Sequence, residues 1–303
     1  MDDALPHPWL VTHYGWSRDP HPEQRPLLHL QDPSTGAQRT VALSGELDFI
    51  RSRERRCVGW RDPGHGRRPC PNAAPPTRGA QCASCERRNG FKACVICTGF
   101  DCPELPPEAR AWCESRHHLY LAHFGGDTVK VGTASDGRRL ARLLDQGPLA
   151  AAWVAQGPGP AIKRLEHRIS QLGYRERMRR DEKRRLLASP MTPDDAKRAL
   201  QRALADIQAR LKPTHRAPLG DPEFAPWPDM AVAARAFTRL EELIPTPERH
   251  IGGRILGASG SVLVLDDGGE VPVTLELREL VGAFLRLDPP GPRWRPTRQL
   301  TLL

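Results

Sequence analysis

Eight cysteines, Cys57, Cys70, Cys82, Cys85, Cys94, Cys97, Cys102 and Cys113, share one stretch of the chain, and among them stand two tight pairs, Cys82-x-x-Cys85 and Cys94-x-x-Cys97. A Cys-x-x-Cys turn points two thiolates at one tetrahedral cation with bonds of about 2.3 Å, and two further ligands close the site. Eight thiolates therefore suit two structural zinc ions. The partition with the most sequence-local loops gives Cys57, Cys70, Cys82 and Cys85 to one ion and Cys94, Cys97, Cys102 and Cys113 to the other. Interleaved sets are the alternative, and His65, His117 and His118 are spare ligands. An iron–sulfur cluster uses the same thiolates but favours a more compact spacing, and a redox pair would open a helix after a strand, which neither pair does. Closed thiolate sites leave no position for water, so their role is folding and catalysis belongs elsewhere.

A second set of residues has the parts that phosphodiester cleavage needs: Tyr120, Lys130, Arg139 or Arg142, and Glu166. A base must deprotonate the nucleophile, a cation must offset charge on the phosphate, and a carboxylate must hold a divalent metal such as Mg or Mn. Singly each is unremarkable, since a strand tyrosine is usually packed and a helix glutamate usually solvated.

The elements that must position these residues follow from pattern. Leu119 to His123 and Thr128 to Thr133 read as strands around Gly125-Gly126-Asp127; Arg138 to Asp145 has helical spacing and ends at Gly147. Ala150 to Ala155 reads as a third strand. Ala161 to Leu172 reads as a helix with Ile162, Leu165, Ile169 and Leu172 on one face, giving the order β-β-α-β-α. Tyr174 to Arg185 is dense in Arg and Lys, either a solvated helix face or a phosphate-contacting helix. Thr192-Pro193-Asp194-Asp195 is a strong helix start, followed by the apolar stripe Leu200, Leu204, Ile207 and Leu211. Met230 to Leu243 has helical spacing within a proline-rich segment.

Strand patterns occupy both ends. Leu27 to Leu30 and Thr40 to Leu43 flank the Asp32 to Gly36 turn cluster, and strands return from Ile251 through Leu287. The N-terminal strands are too few to stand alone, so they are expected to pair with the C-terminal set in one discontinuous β domain. Gly257-Ala258-Ser259-Gly260 lacks the Lys-Ser/Thr and the helix of a phosphate loop and reads as a turn.

His118-Leu119-Tyr120 and Lys130-Val131-Gly132 stand in the order of the two motifs of the GIY-YIG nucleases, and the module resembles the branch whose second motif reads Lys-Ile-Gly. His117 to about Lys183, with the upstream cysteines, also resembles the DUF2797 family. The matching pieces are Leu119-Tyr120-Leu121-Ala122, Val129-Lys130-Val131-Gly132-Thr133, Arg142 before Asp145-Gln146-Gly147, and Glu166. The GIY-YIG resemblance implies that Tyr120 acts with the nucleophilic water, Arg142 binds phosphate and Glu166 binds a divalent metal. The spacing leaves Arg139 and Arg142 competing for the arginine role, and His118 and Lys130 replace motif residues.

The chain has 303 residues, a formal charge of +9 and a pI near 9.5, which favours an anionic partner, DNA or RNA in first place. No apolar run is long enough to span a membrane and the N-terminus has no leader pattern, so a cytoplasmic location is expected. The expected fold class is α+β. Its segments are an N-terminal β segment over 1–56, a zinc module over 57–116, a GIY-YIG-like domain over 117–190, a helical connector over 191–249 and a C-terminal β segment over 250–303. The expected function is a zinc-stabilised, nucleic-acid-processing phosphodiester hydrolase. The alternative is a non-catalytic zinc module that binds nucleic acid or protein.

Overall fold

The computed structural model describes residues 8–17, 24–62, 66–89, 97–101, 104–105 and 107–287. Strands β1 (Trp9–Trp16), β2 (Pro26–Gln31), β3 (Gln38–Ala42) and β4 (Glu46–Arg55) come first, then the short ribbon β5 (Trp60–Asp62) and β6 (Gly66–Arg68) and helix α1 (Ala83–Arg88). Next come α2 (Pro107–Glu114), β7 (Arg116–His123), β8 (Val129–Ser135), α3 (Arg139–Leu144), β9 (Ala150–Pro158) and α4 (Gly159–Ser170). Helices α5 (Arg180–Arg185), α6 (Pro193–Arg210) and α7 (Pro213–Arg216) lead to β10 (Leu219–Phe224) and α8 (Asp229–Ala233). The chain then forms β11 (Glu241–Leu243), β12 (His250–Ser259), β13 (Val262–Asp266), β14 (Val273–Glu276) and β15 (Ala283–Leu287).

Two compact units result: Met1–Arg61 with Arg67–Arg88 and Pro228–Leu303, and Asp62–Gly66 with Asn89–Trp227. The cysteine-rich stretch is thus divided, with Cys57, Cys70, Cys82 and Cys85 in the first unit and Cys97 and Cys113 in the second.

The first unit is built on a nine-stranded sheet in the order β11-β14-β13-β12-β4-β15-β1-β2-β3. Its centre joins the two ends of the sequence: β4 lies antiparallel to β12, with Phe49 opposite Ile251, and to β15, with Arg51 opposite Leu285. Strand β2 shows why pairing fixes a face, because Leu28 and Leu30 are buried while Leu27, His29 and Gln31 are partly exposed. Asp32 shapes the β2–β3 turn by accepting hydrogen bonds from the amides of Ser34 (2.7 Å) and Thr35 (3.2 Å). Val262 to Leu265 are all buried, each side chain contributing about 1.5–3 kcal/mol relative to exposure. Helical spacing over Met230 to Leu243 gives a helix only to Ala233. Residues 234–240 are turns and coil, and only the last three residues form β11, which pairs parallel to β14 and buries Leu243. A sheet edge outweighs the weak helical pattern there.

The second unit has a four-stranded antiparallel sheet in the order β10-β9-β7-β8, and β7, β8, α3, β9, α4 follow the expected β-β-α-β-α sequence. Strand alternation sends Leu119, Leu121, Val131, Ala152 and Val154 to one face, where Ile162, Leu165 and Ile169 of α4 and Leu200, Leu204 and Ile207 of α6 cover them. The other face carries Tyr120, Ala122, Ala134, Ala151 and Trp153 and packs against Leu143 of α3, with Met178, Leu186, Ala225 and Trp227 around it. Helix α6 starts with a capping box in which Thr192 Oγ1 accepts from the Asp195 amide and Asp195 accepts from the Thr192 amide. The basic segment is helical only over Arg180–Arg185; before it, the Arg175 carbonyl accepts from the Val131 amide at 2.9 Å, drawing the chain along β8. Strand β10 escapes sequence pattern because Pro222 interrupts it, as an edge strand tolerates.

Candidate functional site

The thiols of Cys57, Cys70, Cys82 and Cys85 all lie within 4.8 Å of one another. Cys70 and Cys82 are 3.9 Å apart, and the edge of a tetrahedron with metal–sulfur bonds of about 2.3 Å is about 3.8 Å, so the set fits a zinc ion. Cys57 follows β4, while Cys82 and Cys85 frame the start of α1. Amides point at the sulfurs: Cys57 Sγ accepts from Cys82 N at 3.1 Å and from Gly59 N at 3.4 Å. Gly59 holds φ +79, and a Cβ there would stand 1.8 Å from the Arg68 carbonyl oxygen, so only glycine fits this turn. Burial pushes the thiols of Cys57 and Cys85 up, whereas the hydrogen bond from the Cys85 amide leads the effects that bring Cys82 down to about 7. Four thiolates at this separation repel, and a bound dication removes that repulsion.

The second expected set is only partly in view. Cys94 and Cys102 lie outside the described residues, as does His65. Cys97 Sγ accepts from the Gly99 amide at 3.2 Å. Of the spare histidines, His118 is bound to Asp136 at 2.7 Å, and His117 Nδ1 lies 2.9 Å from the Ser115 carbonyl oxygen.

In the second unit, β7 and β8 bring Tyr120 and Lys130 together. Tyr120 is opposite Gly132 and Ala122 opposite Lys130, so both side chains rise from one face. Lys130 Nζ donates to the Tyr120 hydroxyl at 3.1 Å and to the Val131 carbonyl at 3.1 Å, and Gln146 Nε2 donates to the same hydroxyl. Among the described residues nothing accepts the phenol's own proton. Two donors and no acceptor is a setting for a phenolate. Burial opposes ionisation most strongly, yet the charges of Lys130 and Arg142 and the bonds from Gln146 and Lys130 leave the phenol pKa below its ordinary value. Gly132 makes room: a Cβ there would meet the hydroxyl oxygen at 2.3 Å and Lys130 Nζ at 2.7 Å.

The two candidate arginines of α3 differ. Arg139 is bound to Glu223 and lies 5.0 Å over the Trp153 ring, whereas Arg142 is exposed and pairs with no carboxylate among the described residues. Lys130 also has no carboxylate partner among them, although it is 5% exposed. Glu166 is placed apart from this group. It sits on α4, which covers the face opposite Tyr120, where it is buried and bound to Lys163 at 2.7 Å. Tyr120, Lys130 and Arg142 are thus gathered, and Glu166 is not with them.

Sequence reasoning did not single out Gln146 or Trp153 as members of the site. Gln146 stands in the Asp145-Gln146-Gly147 tripeptide at the end of α3, one turn after Arg142, and that i, i+4 spacing was the available signal. Trp153 meets Tyr120 edge-on at 5.6 Å and follows from its place opposite Tyr120 on β9.

A family model described as protein of unknown function (DUF2797) matches residues 75–285. No curated protein and no solved structure matches the chain. None of the helices in the described residues is long and apolar enough to cross a membrane.

Proposed function

The chain belongs to the DUF2797 family, and from that premise we propose that it is a zinc-braced protein that engages the phosphates of a nucleic acid at the Tyr120 cluster. The observation that carries the proposal is a pair of cations, Lys130 and Arg142, that share one phenol and pair with no carboxylate among the described residues. A phosphate group supplies the missing negative charge. Arg142 is the exposed contact, and an anion that reaches the hydroxyl displaces the Gln146 amide from it. Zinc at Cys57, Cys70, Cys82 and Cys85 would contribute folding energy to the first unit; Cys94, Cys97, Cys102 and Cys113 would hold the second ion.

Hydrolysis at the same place is the second reading, favoured by the lowered pKa of Tyr120. A Tyr120 phenolate would accept the proton of the attacking water while Arg142 and Lys130 offset charge on the phosphate. Mg or Mn at Glu166 has no part in it, because that carboxylate is neutralised by Lys163 on the far face of the sheet.

The test pairs binding with cleavage across labelled single-stranded, double-stranded and branched DNA and RNA, in magnesium and in manganese, for proteins of equal zinc content. Binding that weakens in Lys130→Met and Arg142→Ala, with no cleavage by the wild type, supports phosphate engagement alone. Cleavage abolished by Tyr120→Phe and kept in Glu166→Ala supports hydrolysis. Binding indifferent to Lys130→Met and Arg142→Ala sinks both.

A further inference from the structure

The four thiols of the Cys57, Cys70, Cys82 and Cys85 set are not alike. Cys57, Cys82 and Cys85 are 2%, 6% and 0% exposed, whereas Cys70 is half-buried. The chain carries Cys70 along the surface, since Gly66 to Pro69 before it and Pro71 to Ala73 after it are all exposed. A reagent in solution therefore meets this sulfur before the other three.

The sulfurs also differ in what draws on their charge. Cys57 Sγ accepts from the amides of Gly59 and Cys82, and Cys82 Sγ accepts from the Cys85 amide. Hydrogen bonds that stabilise a thiolate make it a poorer nucleophile. Cys85 is closed off by burial instead. Among the described residues no amide donates to Cys70 Sγ, which lies 3.9 Å from Cys82 Sγ. The most accessible sulfur is thus also one whose charge no amide draws on.

The chain between Cys70 and Cys82 is tied down by bonds that need no metal. The amides of Cys57 and Val58 donate to the carbonyls of Ala74 at 2.8 Å and Ala80 at 3.0 Å, and Gln81 Nε2 donates to the Gly59 carbonyl at 2.6 Å. These bonds hold the segment against residues 57–59, so the sulfurs keep their neighbours if the ion is lost.

We propose that Cys70 is a modification site for hydroperoxides, through which the four-cysteine set gives up its zinc reversibly. The proposal rests on the zinc reading above and adds a reaction to it. Cys70 Sγ attacks the peroxide oxygen: an S–O bond forms, the O–O bond breaks, and the leaving oxygen takes a proton from solvent, which gives a sulfenic acid. Cys82 Sγ, the neighbour at 3.9 Å, then attacks the Cys70 sulfur. An S–S bond forms, the S–O bond breaks, and the hydroxide that leaves takes a second proton to become water. Two thiolates have given two electrons to one peroxide. Two thiolates remain, too few to close a tetrahedral structural site. A dithiol reductant attacks the disulfide and returns both ligands.

The experiment exposes the zinc-loaded full chain to hydrogen peroxide beside a chromogenic zinc chelator, traps early sulfenic acid with dimedone, and maps adducts and disulfides by peptide mass spectrometry. Cys70→His is run in parallel, because an imidazole can take the ligand position without offering a thiolate to oxidise. Within this set the first adduct is expected on Cys70, followed by a disulfide between Cys70 and Cys82. Wild type should lose one equivalent of zinc more than Cys70→His, and dithiothreitol with added zinc should restore both zinc content and melting temperature. A first adduct on Cys57, Cys82 or Cys85, or a disulfide that omits Cys70, overturns the proposal. That mapping is made on the wild type, so it decides even where Cys70→His does not hold zinc. Zinc content before peroxide that is the same in Cys85→Ser as in wild type overturns the zinc reading itself, and the release step with it.

Discussion

Lys130 Nζ stands 3.1 Å from the Tyr120 hydroxyl oxygen and 5.0 Å from the centre of the same ring. The lysine therefore meets both the acidic oxygen and the electron-rich face of one phenol, in a site that admits almost no water to either group. The charge of Lys130 is the leading effect that favours the ionised form of Tyr120 against its burial.

Tyr120 is the natural reporter. The chain has three tyrosines, and burial leads the causes that push Tyr174 up to about 12. An ultraviolet titration of the folded protein should show one phenol ionising below the ordinary tyrosine value and absent from Tyr120→Phe. Because the folded pKa is depressed, the unfolded chain binds more protons between the two values. Stability from this group should accordingly rise with pH through that window and be absent below it. A Tyr120 that ionises no earlier than free tyrosine contradicts the phenolate setting.

Arg142→Ala and Lys130→Met should each raise the Tyr120 pKa, since each removes a charge that favours the phenolate. Glu166→Gln should leave it unmoved, because its side chain lies across the sheet and answers to Lys163. The same titration read on the three variants checks the separation; a Tyr120 shift in Glu166→Gln as large as in Arg142→Ala would refute it.

Gly132→Ala should destabilise the second unit by about 1–3 kcal/mol, the usual range for forcing atoms into a filled site. Most of the loss should disappear in a Tyr120→Ala background, where the colliding hydroxyl is gone. Chemical denaturation of the four members of this cycle measures the coupling, and additive losses would show that the close approach is not what Gly132 serves.

Zinc content should fall by one equivalent per chain in Cys85→Ser, with a lowered melting temperature. Gly59→Ala should have a similar effect without removing any ligand, because its Cβ strikes the Arg68 carbonyl. Elemental analysis of purified variants reads this directly. Full zinc in Cys85→Ser would take Cys85 out of the ligand set.

Sequence carried some of this and lost the rest for identifiable reasons. The first cysteine set was legible because Cys82-x-x-Cys85 leaves few geometries open, and the β-β-α-β-α order because Leu119, Leu121 and Val131 alternate cleanly. Tyr120 and Lys130 could be named but not paired, since their contact depends on the register that puts Tyr120 opposite Gly132. Glu166 carried a signal that motif order concealed. It stands four residues after Ile162 and three before Ile169, within the buried stripe of its own helix. The end of the Met230 helix and strand β10 were set by pairing across the sheets, which local pattern does not encode.

Strand β4 ends at Arg55, yet both of its neighbours in the sheet, β12 and β15, lie beyond residue 249. During synthesis the middle of that sheet must wait for almost the whole chain, and until then its unpaired edges are exposed to wrong partners. The four-cysteine cluster has no such delay, since every ligand has emerged once Cys85 is made. Metal capture can thus give the first unit an early fixed point, a knot tied while the strands on either side of it are still loose ends.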